Sequence, residues 1–148
     1  MSTMYHELSA ELLGHEAIRN YISGGKGIVT LQSPTGVHHT YKFSKPKLPD
    51  NFSEDTRFVY HLEKDKSWTY VGMNSSNSFR TTQRSKFPRN SPEFKGASYI
   101  IKMANTPHLQ TKMRLFHEGV CGVCGRRLTT PESIMYGIGP KCRKKVLS

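Results

Sequence analysis

The chain has 148 residues, enough for one ordinary domain or for a modest core plus a small metal-stapled module, and too few for two large domains. Apolar residues make up 35% and charged ones 22%, the balance of a folded but rather polar protein, and no run of about 18 apolar residues occurs that would span a membrane as a helix. The net charge of +11 lies entirely in the second half: residues 1–75 carry eight basic and eight acidic side chains, residues 76–148 fourteen and three, and clustered Lys and Arg gain from counterion release on a polyanion.

The opening MSTMYHELSAELLGHE is acidic and polar where a signal peptide needs a basic stretch before an apolar one, which predicts a cytoplasmic protein with reduced thiols. Within HELSAELLGHEAIRNYISGGKG, Leu8, Leu12, Ala17, Ile18, Tyr21 and Ile22 recur at roughly helical spacing. Ser9 is a candidate cap, Gly14 a candidate break and Gly24-Gly25 the end, so 1–25 reads as an N-terminal helical segment. From Gly27 the period changes to two. GIVTLQSPTGVHHTYKFSKP predicts strands at 28–32 and 37–43 around the turn Ser33-Pro34-Thr35-Gly36, with Val37, His39, Tyr41 and Phe43 sharing one face.

After a proline-containing polar connection, RFVYHLEKDKSWTYVGM predicts a second hairpin, with Phe58, Tyr60 and Leu62 alternating before the turn and Trp68, Tyr70 and Gly72 after it. One side of these aromatic strands must be core, and packing is the stronger expectation for them over base stacking. A short strand is expected at 79–82. SPEFKGASYIIKMANTPHL then returns to helical spacing: Ser91 as N-cap, Pro92 in the first turn, Glu93 near the positive end of the dipole, and Phe94, Ala97, Ile100, Ile101 and Ala104 as a buried stripe closed by Pro107. The expected architecture is α+β: a β-rich domain over 26–106, in which a small antiparallel sheet is covered by a helix at 92–104, followed by a zinc module over 107–148.

All three cysteines stand in HEGVCGVCGRRLTTPESIMYGIGPKC. Cys121 and Cys124, two residues apart with Gly125 behind them, have the form of a zinc knuckle, in which two thiolates grip one metal from a tight turn. Cys142 follows at the head of a terminal helix opening at Pro140, where the dipole and Lys141, Arg143, Lys144 and Lys145 favour a thiolate. The arrangement resembles a treble-clef or ribbon-like finger. Such fingers often take two ligands from the helix, but Lys145 stands where the second would be. The nearest suitable donor is His117, with His108 next, so the expected structural Zn2+ site is His117, Cys121, Cys124 and Cys142. A redox C-x-x-C pair is the weaker alternative, because no βαβ setting precedes Cys121.

The stretch from Cys121 to Cys142 closely resembles the pattern C-x-x-C-G-R-x-L-T-x-P-x-S-I-x-x-G-I-G-P-x-C, found at the C-terminus of a family of phage and plasmid proteins of unassigned function. More loosely, GIVTLQSPTGVHHTYKF, the Trp-Thr-Tyr-Val-Gly strand and FRTTQRSKF are similar to the β-rich region that precedes this module, so that the resemblance covers roughly 26–143. It implies zinc binding and a viral or mobile-element origin, and carries over no catalytic residues.

A zinc-organised module would gather Arg126, Arg127, Lys141, Arg143, Lys144 and Lys145 into one cationic patch, which Arg80, Arg84, Lys86 and Arg89 extend. Phe79 and Phe87, interleaved with these, are candidates for stacking on unpaired bases. The leading expectation is a non-catalytic accessory protein that binds nucleic acid or a nucleoprotein complex. The alternative is a phage protein that binds and modulates a host or viral protein such as a polymerase or a defence complex. A metalloenzyme is the weakest expectation, since the sequence contains no HExxH, no H-x-E paired with P-C-x-x-C, no phosphate-cradling glycine loop and no nuclease-like carboxylate cluster.

Overall fold

The computed structural model describes residues 11–75, 78–118 and 124, which form an α+β fold. Five strands run as a meander, β1 (Lys26–Gln32), β2 (His38–Ser44), β3 (Arg57–Leu62), β4 (Trp68–Ser75) and β5 (Ser78–Arg80), and β6 (Arg114–His117) is added beside β1. The order across the sheet is β5-β4-β3-β2-β1-β6 and every pair is antiparallel. Helix α1 (His15–Ser23) precedes β1, and α2 (Pro92–Asn105) lies between β5 and β6, so the chain passes from one edge of the sheet to the other through α2.

The two long hairpins share one turn design. Gly36 N donates to Ser33 O at 3.0 Å and Ser33 N to Val37 O at 2.8 Å; Lys66 N donates to Glu63 O at 2.9 Å and Glu63 N to Ser67 O at 2.8 Å. The third residue after the start of each turn is left-handed, Gly36 at φ 90° and Lys66 at φ 69°. A glycine adopts that conformation freely, whereas a lysine does so at a cost of about 1 kcal/mol.

Strand alternation sends Val29, Leu31, Tyr41, Phe43, Val59, Val71 and Leu115 to one face, where they meet Ile18, Tyr21 and Ile22 of α1 and Phe94, Ala97, Ile100, Ile101 and Ala104 of α2 in one buried cluster. Helix α2 has the expected cap: Phe94 N donates to Ser91 Oγ at 3.1 Å, and Pro92 needs no N–H partner. Gly96 sits in mid-helix at a typical cost of about 0.5–1 kcal/mol. A Cβ there would collide with the Tyr41 hydroxyl, which donates to Glu93 O at 2.7 Å and so ties the first turn of α2 to the sheet. Burial, then the Glu93 carboxylate, raises the Tyr41 phenol above its usual range.

Arg57 is only 7% exposed and holds the end of α1 against β3. Its guanidinium donates to Ser23 O, the last carbonyl of α1, and to Glu54 O and Thr56 O, so a cation fills the negative end of the helix dipole. Burial lowers its pKa, opposed by the nearby Asp55 and Glu54 carboxylates.

Helix α1 begins only after Gly14 (φ 88°), and the residues before it are extended: Leu12 N donates to Leu115 O at 2.8 Å and Glu11 forms a bridge with Phe116. Leu12 is buried by that pairing, so its helical spacing to Ile18 and Tyr21 was misleading. Strand β6, within the 107–148 segment expected to hold the zinc module, belongs to the sheet.

Candidate nucleic-acid interface

The connection 81–90 leaves β5 and follows the edge of β4. It turns at Ser85, whose N–H donates to Thr82 O at 3.0 Å, touches β4 where Lys86 N donates to Tyr70 O at 3.1 Å, and turns again where Ser91 N donates to Pro88 O at 3.0 Å. Arg80, Arg84, Lys86 and Arg89 are all exposed along this path, and none is ion-paired among the described residues. An ordered backbone therefore displays four cations along one edge. Phe79 and Phe87, which neighbour these residues in sequence, do not join that display. Phe79 stacks on Phe94 of α2 with ring centroids 4.6 Å apart, and Phe87 packs edge-on to His61 at 5.7 Å, both against the core. The expectation that they offer rings to bases is not met by this packing, since β5 lays Phe79 against α2 and the connection turns Phe87 onto His61.

Rings are presented instead by the sheet face opposite the helices. Phe58, Tyr60 and Leu62 of β3 stand there beside Met73, Tyr70 and Trp68 of β4. The alternation carries Trp68 and Tyr70 onto this face but not Gly72, since a bulge at Val59/Tyr60 in the β3–β4 register turns both Val71 and Gly72 toward the core. Tyr60 and Tyr70 lie 5.5 Å apart, Phe58 and Tyr70 5.9 Å, and Phe52 of the preceding loop adds itself to Phe58 at 5.3 Å, all edge to face. Lys42, opposite Tyr60 in the β2–β3 register, places its Nζ 5.0 Å from the centroid of Tyr60 and 4.8 Å from that of Trp68. Tyr41 and Phe43, by contrast, are fully buried on the helix side.

A second polar group lies on the helix side, where His39, His61 and Glu63 form a chain. His61 Nδ1 lies 2.6 Å from Glu63 Oε2, and His61 Nε2 and His39 Nδ1 lie 2.8 Å apart, one donating to the other according to the tautomer. His39 also lines an apolar groove of about 330 Å3 between the first hairpin and α2, with Leu31, Val37, Gly96 and Tyr99 among its walls. Burial first, then repulsion from His61, lowers the His39 pKa below the ordinary 6.5, with Glu93 and Glu63 acting the other way.

The unfolded chain thus takes up a proton near pH 6.5 that the folded chain accepts only at lower pH. Stability is fully present above about pH 6.5 and falls as the pH drops through the window below it. We expect denaturant unfolding followed between about pH 7.5 and 5 to show that fall, and His39→Asn, which keeps a donor toward His61, to flatten part of it. An identical pH slope in the variant would show that His39 does not carry the effect.

Of the residues expected to bind zinc, His117 closes β6 opposite Val29, with its side chain 3% exposed and its ring 5.4 Å from that of Tyr21. Cys124 is exposed on a turn. Cys121, Cys142, Arg126, Arg127, Lys141, Arg143, Lys144 and Lys145 lie outside the described residues. The alternative ligand His108 is exposed in the connection from α2 to β6, at φ 55°.

These features define an α+β protein whose six-stranded antiparallel sheet is covered by helices on one face, with an aromatic opposite face and a basic edge. A family model described as a family of unknown function (DUF6011) matches residues 116–147, the segment that begins in β6 and runs through all three cysteines. No curated protein matches the chain, and no solved structure does. Among the described residues no helix is long and apolar enough to cross a membrane.

Proposed function

We propose that the chain is a non-catalytic, zinc-stapled accessory protein of phage or mobile-element origin that binds nucleic acid in the host cytoplasm. The observation that carries this reading is the distribution of charge: the whole excess of +11 falls after residue 75, and four of the eight basic side chains described there, Arg80, Arg84, Lys86 and Arg89, are exposed along one ordered edge. The spacing of Cys121, Cys124 and Cys142 supports a structural Zn2+ that His117 completes and that displays Arg126, Arg127, Lys141, Arg143, Lys144 and Lys145.

Fluorescence anisotropy with labelled oligonucleotides at several salt concentrations tests this. Affinity should fall steeply as salt rises; affinity that is absent, or indifferent to salt, rejects the reading. Arg126→Glu combined with Arg127→Glu is expected to weaken binding across sequences and to reduce the slope of log affinity against log salt by about 2 if each arginine neutralises one phosphate. Unaltered binding by the double variant would place the contact surface elsewhere.

A further inference from the structure

Among the described residues the aromatic sheet face is distinct from the basic edge, and its chemistry is specific. Two tyrosines, a phenylalanine and the sole tryptophan of the chain form a continuous patch across β3 and β4, half-buried against one another and on the opposite side from both described helices. Phe52 at its margin is 39% exposed and Leu48, on the same loop, 67%. A half-exposed aromatic patch is costly to leave facing water, so it is expected to have an occupant.

Charge identifies the occupant. Lys42 lies over the Tyr60 and Trp68 rings with no carboxylate paired to it among the described residues, and Lys47 is close enough to repel it, the second cause after burial that lowers its pKa. No acidic residue stands in the six described strands. Of those beside them, Glu63 accepts from His61 on the helix side, Glu11 pairs with Arg114 beyond β1 at 2.6 Å, Asp55 accepts from Ser53, Asp65 accepts from Ser67, and Glu118 accepts from Thr30 at the β1 side of this face at 3.3 Å. An aromatic surface with uncompensated cations suits a ligand that is both π-faced and anionic, which fits an unpaired polynucleotide; a duplex keeps its base faces stacked on each other.

We propose that the open face of β2, β3 and β4 is a binding site for single-stranded nucleic acid, with bases stacked on Tyr60, Tyr70 and Trp68 in place of Lys42, whose ammonium turns with that of Lys47 to the backbone phosphates. This rests on the nucleic-acid reading above and narrows it to unpaired strands and to side chains of β2, β3 and β4. The first hairpin's neighbour, β3–β4, thereby acts as a platform, while the basic edge at 80–89 continues the path of the strand past β4.

Trp68 makes the site its own reporter. Titrating the full-length protein with a thymidine oligonucleotide and with a matched duplex, while following tryptophan emission, is the test. The expected result is quenching by the single strand that weakens with salt, with little quenching by the duplex. Tyr60→Leu and Tyr70→Leu, which keep apolar bulk and remove the ring, are each expected to weaken single-strand affinity by about tenfold. Lys47→Ala, at an exposed position, serves as a variant that leaves the packing alone and should reduce the salt slope by about 1.

Single-strand binding that neither changes Trp68 emission nor responds to Tyr60→Leu would overturn the site and leave the broader nucleic-acid reading standing. Failure of both oligonucleotides to bind would overturn both. Quenching produced only by a co-purifying protein would make this face a protein-docking surface and overturn the proposal as well.

Discussion

Treating the full-length protein with a strong zinc chelator is expected to remove one metal ion per chain and to expose the backbone amides of 119–148 to exchange, while those of β1 to β5 stay protected. Structural zinc sites contribute about 10–16 kcal/mol of apparent binding free energy at neutral pH, as much as or more than the roughly 5–15 kcal/mol that stabilises a whole domain, so a small module built around one cannot keep its fold when the metal leaves. Metal analysis by atomic emission and hydrogen exchange with and without chelator check this. Protein that purifies without zinc, or exchange in 119–148 unaffected by the chelator, would remove the metal from the account.

The same experiment needs care at His117. Its side chain is 3% exposed and packs on Tyr21, so His117→Ala lowers the melting temperature through lost packing whether or not the imidazole binds metal. Zinc affinity, measured by competition with a chromogenic chelator, separates the two roles. Groups that merely hydrogen-bond to a ligand cost 10–100-fold in affinity when removed, so loss of a ligand itself should cost at least about tenfold. A destabilised His117→Ala protein with unchanged zinc affinity would leave His117 as a core residue and return the fourth position to His108 or another donor.

Gly72→Ala is the substitution in the sheet with the largest expected penalty for a single added methyl. A Cβ at Gly72 would lie 2.5 Å from Arg80 O and 3.2 Å from two atoms of the Phe79 ring. The oxygen belongs to the backbone of β5 opposite Met73, and the ring is clamped on Phe94, so neither can swing aside without separating β5 from β4 or Phe79 from α2. Overpacking of this kind costs about 1–3 kcal/mol, which for a chain of this size lowers the melting temperature by on the order of 5–10 °C. Thermal unfolding followed by circular dichroism measures it, and a change below about 0.5 kcal/mol would show that β5 is free to shift.

The sequence made most of this sheet legible, for definite reasons. The turn Ser33-Pro34-Thr35-Gly36 and the segment Glu63 to Ser67 sit between strands with strong period-two spacing, and both hairpins formed there. The cap at Ser91, the proline after it and the apolar stripe made α2 visible almost to the residue. Strand β6 was not visible: RLFH is four residues long and stabilised by β1, a partner far away in the chain. For the same reason Leu12 read as helical, although its pairing to Leu115 makes it extended.

At the candidate sites the limits were different. Alternation showed that the hairpin aromatics would divide between two faces, but the bulge that separates Tyr70 from Gly72 has no signature in WTYVGM. Phe79 and Phe87 lie among arginines and lysines, and only the fold reveals that they turn inward, onto Phe94 and His61. Alternation puts His39 on one face with Tyr41 and Phe43, but its hydrogen bond with His61 depends on the β2–β3 register, which sets Tyr41 opposite His61 and brings His39 diagonally near.

The pairing of β6 with β1 also governs the order in which the molecule can assemble. Strands β1 to β5 close through neighbouring hairpins and are able to pair as soon as they emerge during synthesis, whereas one side of β1 must wait for residues 114–117. Until then β1 presents a bare strand edge, the kind of surface that pairs with another nascent chain. The extended residues 11 and 12 dock last, on the far side of β6. Both ends of the main described stretch, 11–12 and 114–117, thus meet at one edge, and the seal on the sheet is completed only once residues 114–117 have been made.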